Sequence, residues 1–258
     1  MLIADPWFYS AAIPAVLLFG IAKGGFGGGL GAAAVPLMAL VVSPVQAAAI
    51  LLPILCLMDI VTLWAYRGQW NAGELKRLLP AAIIGIGIGG WSFEYLSADA
   101  IRLCVGLVAV SFTLHYVWHT LRPGAGKLAD IGTGAAAPAG ALAGFTSFIA
   151  HAGGPPLNIY LLRRPLDRTA FVATTAVFFA VVNYVKLVPY AALGLLSTDN
   201  LATSAALAVF APVGVYLGVW LHRQVSDRTF FAVVYTLLFA LGVKLIGDGL
   251  TALSLIHI

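Results

Sequence analysis

Apolar runs alternate with short polar or glycine-rich breaks along the whole chain, and they predict ten helical segments: roughly 7–22, 30–42, 45–66, 74–95, 98–120, 132–150, 155–162, 168–191, 199–222 and 226–250. Segments two and seven are too short to cross a hydrocarbon core of about 30 Å at about 1.5 Å per residue. Each therefore reads as the returning arm of a re-entrant helical hairpin whose first arm is the segment before it. One hairpin and three full spans fall in residues 1–125, with the hairpin at about 7–42, and the same set falls in residues 126–258, with the hairpin at about 132–162. An odd number of crossings per half turns the second half upside down relative to the first. The predicted fold is an all-α polytopic membrane protein of two inverted-topology repeats, each a re-entrant helical hairpin plus three transmembrane helices.

The breaks themselves repeat. Lys23-Gly-Gly-Phe-Gly-Gly-Gly-Leu-Gly31 runs into Val35-Pro36, and Phe148-Ile-Ala-His151-Ala-Gly-Gly-Pro-Pro-Leu157 runs into Asn158-Ile-Tyr160. Laying Gly28-Gly29 over Gly153-Gly154 gives an offset of about 125 residues, half the chain. Interrupted segments in matching positions of two halves point to a binding site where their tips meet near the midplane, since irregular backbone survives there only when buried in protein or lining a wet cavity.

Composition agrees with the pattern. Hydrophobic residues make up 61% of the chain and charged ones 9%, which is incompatible with a surface facing water. Residues 1 to 6 lack the basic stretch of a signal peptide, so the first apolar segment is expected to be retained. Cys56 and Cys104 lie singly in apolar runs and read as small buried hydrophobes.

Ten of the 14 basic residues, Arg67, Lys76, Arg77, Arg122, Lys127, Arg163, Arg164, Arg168, Arg223 and Arg228, fall on connections to one side of the predicted topology; Arg102 falls on the other. The positive-inside rule makes the rich side cytoplasmic and places both termini outside, which in a bacterium is the periplasm. The net charge of +4 then reflects topology, and nucleic acid is excluded as a partner.

The candidate chemistry sits at the breaks. Gly24, Gly25, Gly27, Gly28 and Gly29 in the first break, with Gly153 and Gly154 in the second, let backbone amides approach a ligand. A short helix starts after each break, near Leu30 and Pro156, with Pro155 suited to a first turn, and helix N-termini favour an anion. Lys23 either faces that ligand or snorkels to a leaflet surface, and His151 either donates to it or is a satisfied structural histidine. Asn158 adds a neutral donor, as do Thr146 or Ser147. Asp59 reads either as one partner of a structural ion pair or as a coupling site for a proton. The stretch Val182-Asn183-Tyr184-Val185-Lys186 matches it in the second half, with Lys186 either adding positive potential to the pathway or lying close enough to the outer boundary to snorkel, and Lys244 and Asp248 form a local pair. Gly85 and Gly89, echoed by Gly214 and Gly218, read as helix-packing faces; the G-x-G-x-x-G spelling at Gly85 has no strand before it and is no nucleotide site. Trp64, Tyr66, Trp70, Trp118 and Trp220 read as interface anchors. No catalytic motif, cofactor site or metal set is present, so an enzyme is not predicted.

The element K-G-G-x-G-G-G-x-G-x-x-x-V-P, met by Lys23 to Pro36, and the element G-x-x-x-x-x-x-H-x-G-G-P-P, met by Gly144 to Pro156, resemble those of the sulfite exporter TauE/SafE family, also called the toluene sulfonate uptake permease family. The resemblance implies a secondary transporter of the bacterial inner membrane for sulfite, sulfoacetate or another organosulfonate. A proton is the coupling ion expected with it, carried by Asp59 or His151, and membrane lipid and the anion are the expected partners. An anion channel, a membrane-embedded enzyme and a carrier of a different small solute are the rivals.

Overall fold

Several helices begin where the sequence supplies an oxygen for their first unpaired amides. Ser43 Oγ accepts from the Gln46 N–H (3.1 Å), Asn71 Oδ1 from Glu74 (3.0 Å), Asp167 Oδ1 from Ala170 (2.8 Å) and Ser197 Oγ from Asn200 (3.3 Å). The computed structural model describes residues 3, 5–25, 29–121, 132–224 and 227–255, and among these every regular element is helical. The helices are α1 (Pro6–Gly25), α2 (Ala34–Met38), α3 (Pro44–Ala65), α4 (Ala72–Tyr95), α5 (Ala98–Leu121), α6 (Ala136–Ala150), α7 (Gly154–Leu161), α8 (Arg168–Ala192), α9 (Thr198–Leu207), α10 (Phe210–Gln224) and α11 (Asp227–Leu255). A 3-10 turn, Gly29–Ala33, leads into α2, and another, Thr133–Ala135, leads into α6.

Two expectations change. The returning arm of the first break is a 3-10 turn and the five-residue α2, while α1 before it has 20 residues and is long and apolar enough to cross a membrane unaided. The ninth segment is bent by 44° between α9 and α10. Pro212 explains the bend: its ring lacks an N–H and crowds the carbonyl four residues back, at Ala208, where α9 ends. The expected boundary between halves near residue 125, with Arg122 and Lys127, lies outside the described residues.

Long apolar helices make this a multi-pass membrane protein. Five of them, α1, α3, α5, α8 and α11, meet the length and hydropathy of a span, and the bent α9–α10 pair makes six. The surface is correspondingly apolar: Ile60, Ile84, Trp64, Trp118 and Trp220 are exposed, with Trp7, Trp91 and Tyr95 exposed near the opposite ends of their helices. Polarity is turned inward, where Lys23, Asp59, Glu74, His151, Asn183 and Lys186 are all buried.

The halves interlock. α1 packs along α10 and α6 along α4, while α3 faces α8 and α5 faces α11. Glycine makes the first two contacts close: a Cβ on Gly85 of α4 would lie 2.0 Å from the Ala141 carbonyl oxygen of α6, and one on Gly218 of α10 would lie 2.4 Å from the Ile21 carbonyl oxygen of α1. The packing faces expected at Gly85 and Gly89, and at Gly214 and Gly218, are thus present. Without a hydrophobic drive between helices in lipid, such backbone approach carries much of their association.

Gly85→Ala is expected to force α4 and α6 apart at a cost of about 1–3 kcal/mol. Gly87→Ala, on the same helix with open space around it, is expected to be neutral or mildly stabilising. Thermal unfolding of both variants in detergent measures the contrast, and equal midpoints would show that the α4–α6 contact is not close-packed.

Candidate functional site

α1 ends at the first break, which fixes Lys23 on its last turn, pointing towards α3. There its ammonium forms an ion pair with the Asp59 carboxylate and also donates to the Leu55 carbonyl (3.3 Å). The second carboxylate oxygen of Asp59 accepts from the Asn183 side-chain amide of α8 at 2.7 Å. Both members of the pair are buried, Asp59 completely. Of the alternatives open from the sequence, Lys23 therefore points inward, and Asp59 has a basic partner.

The second break is built differently. His151 follows α6 with φ +50°, the only positive φ among the described non-glycine residues. Helices commonly end on glycine in this conformation, and a histidine there carries strain. Its N–H donates to the Ser147 carbonyl (3.1 Å), closing α6. The imidazole is held at both nitrogens: Nε2 lies 2.9 Å from the Ala48 carbonyl of α3 and Nδ1 lies 2.7 Å from Lys186 Nζ of α8. A carbonyl accepts and an ammonium donates, so these contacts select a neutral ring with its proton on Nε2.

Of the two readings open for Lys186, the structure takes the inward one. The side chain is completely buried instead of reaching the boundary, and its ammonium also donates to the Ser147 carbonyl and hydroxyl, both at 3.0 Å. Tyr190, one turn on, donates to the Phe148 carbonyl (2.8 Å), and its ring lies over that of His151. Asn183 and Lys186 are three residues apart on α8, about 4.5 Å along its axis. They join the two breaks into one polar column running beside α3 from Ala48 to Thr62, about 21 Å by helical rise.

The two tips also touch: the 3-10 turn packs against α7, and Phe19, against which Gly31 is closed, meets the His151 ring edge-on. Gly24 packs against the Val215 backbone of α10, and Gly153 against Ala143, Ser147 and Phe179. Gly25, Gly154 and Pro155 are buried, and Gly29 opens the 3-10 turn; Gly27 and Gly28 lie outside the described residues. Pro155 and Pro156 carry no N–H, and the Leu157 N–H is bonded to the Gly153 carbonyl (3.3 Å), so the first turn of α7 offers at most the Gly154 amide. Side chains, more than amides, supply the donors at this break. Asn158 stands apart from the column's hydrogen bonds, its buried Oδ1 without a partner.

A small recess, with room for about one water, is lined by Lys23, Asp59, Thr62, Val172, Thr175, Ala176 and Phe179. It lies where α3 finishes and α8 begins, and the ion pair is in its wall. The sequence reading missed Thr62 and Thr175, which look like ordinary helical threonines. It also missed Glu74, buried at the start of α4 and accepting from Tyr160 Oη (2.5 Å), Arg164 Nε (3.0 Å) and Arg77 (3.1 Å). This cluster ties α7 and the segment after it to the start of α4. No group of metal-ligating side chains is present among the described residues.

The family profile described as Sulfite exporter TauE/SafE matches residues 12–245. No curated protein and no solved structure matches the chain.

Removing one partner of a buried ion pair leaves the other uncompensated, at roughly 3–5 kcal/mol. Lys23→Met and Asp59→Leu are each expected to lose stability on that scale, and the double variant to recover most of it. A double-mutant cycle on unfolding midpoints tests this; losses that simply add would mean that the two side chains do not interact in the folded protein.

Proposed function

The chain belongs to the sulfite exporter TauE/SafE family, and we propose that it moves a small sulfur oxyanion, sulfite or an organosulfonate, across the bacterial inner membrane by alternating access. The observation that carries the reading is the buried polar column: Lys23 and Asp59 line a recess between α3 and α8, and beyond them His151, Lys186 and Tyr190 are packed together in the interior. Membership of a sulfite exporter family favours export over uptake.

Two inverted repeats supply the moving parts in this reading, with the halves divided near residue 125. The exchange of partners supports it, because the first helix of each half packs on the second full span of the other: α1 on α10 and α6 on α4. Both termini are periplasmic, and the recess faces the cytoplasm, on the side of Arg67, Arg163 and Arg164. The substrate meets Lys23 and the hydroxyls of Thr62 and Thr175, with the glycine tips, His151 and Asn158 completing its surroundings. No nucleotide-binding motif is present, so a gradient drives the cycle. A proton is the coupling ion, and Asp59 is its carrier: protonation neutralises the carboxylate and frees Lys23 for the anion, while His151 is the second group able to take a proton.

Reconstituted protein is expected to take up radiolabelled sulfite saturably, with counterflow, with competition from sulfoacetate or another sulfonate, and with a response to a pH gradient. Lys23→Ala is expected to abolish most of the flux. Non-saturable flux without counterflow would make it a channel, and normal flux in Lys23→Ala would remove that residue from the site.

A further inference from the structure

Lys186 has no acidic partner among the described residues. Its Nζ lies against three groups, His151 Nδ1 (2.7 Å), the Ser147 carbonyl (3.0 Å) and the Ser147 hydroxyl (3.0 Å), none of them a carboxylate. Asp59, the acid of the column, is already paired with Lys23. The Lys186 side chain has 0% exposure. A buried amine without a counter-ion meets a large desolvation cost whenever it carries its proton, and an anion beside it offsets that cost.

We propose that the transported oxyanion is the missing counter-ion, and that Lys186, with Ser147 and His151 as exchangeable neutral stand-ins for the anion's oxygens, is its principal cationic ligand. The inference rests on the transport reading above and deepens it by naming the residue that selects for negative charge. Lys23 meets the anion first, at the recess, but must be shared with Asp59. Lys186 has no rival carboxylate. Two of its three acceptors belong to Ser147 near the end of α6 and the third to His151, which follows that helix, while the amine belongs to α8. Relative movement of hairpin and α8 thus replaces neutral acceptors by charged ones without leaving the ammonium bare.

Binding of sulfite, sulfate, chloride and taurine to the purified full chain in lipid nanodiscs, by isothermal titration calorimetry, tests the assignment. Lys186→Gln is expected to weaken sulfite at least about tenfold, the scale on which loss of a buried charge partner acts, and Lys186→Arg to keep most of the affinity. Ser147→Ala, which removes a competing acceptor but no charge, is expected to bind sulfite more tightly than the unaltered protein. Opposite signs for Lys186→Gln and Ser147→Ala distinguish a ligand from a scaffold residue. Unchanged affinity in folded Lys186→Gln overturns the inference while leaving the transport reading intact, and so does equal weakening in both variants. If Lys186→Gln does not fold, tighter binding in Ser147→Ala supports the inference and weaker binding overturns it. Should chloride bind through Lys186 and sulfite not bind at all, the counter-ion assignment stands and the sulfur cargo falls; absence of any anion binding to folded protein overturns both.

Discussion

Charge inside a shell that faces hydrocarbon is the constraint on which the rest of the structure depends. The lipid-facing surface of tryptophan, isoleucine and valine side chains offers no solvation, so every ionisable group must find its partners within the bundle. Lys23 and Asp59 solve the problem by pairing, and so fasten the end of α1 to α3. Asn183 completes the carboxylate and brings in α8. The helices that carry the chemistry are therefore the helices held by it. Glycine faces at the α4–α6 and α1–α10 contacts leave this polar centre to α3 and α8, which the other helices surround.

The two breaks began as similar strings of glycine and small residues, yet they work in different ways. The first ends on a cation with a carboxylate opposite; the second ends on a neutral imidazole with a cation opposite. One half offers a charge already compensated, the other a charge held only by dipoles. A solute entering from the recess meets the compensated pair first. On the proposed transport reading, the anion passes from the shared lysine, Lys23, to the unshared one, Lys186.

Much of this was legible in the sequence because helix starts are chemical. Ser43, Asn71, Asp167 and Ser197 mark where α3, α4, α8 and α9 begin, and apolar run lengths set where helices end. The bend after α9 was not legible, since Pro14, Pro53, Pro80 and Pro189 all sit inside helices that continue through them. Pro212 differs from these in its place in the bundle, which a string of residues does not display. The sequence left the burial of Lys186 open for a related reason: when both faces of a helix are apolar, periodicity does not tell the lipid side from the protein side. Glu74 read as an ordinary first-turn acid because its partners Tyr160 and Arg164 lie in the other half.

The Ser147 carbonyl has two donors, the His151 N–H that closes α6 and the Lys186 ammonium. The last turn of that helix and the side chain of another are thereby wired to a single oxygen. When the cation withdraws, the oxygen's electron density returns wholly to the backbone bond; when it comes back, the bond is relaxed. The bonding of the last turn of α6 is thereby tied to the place of one side chain on α8.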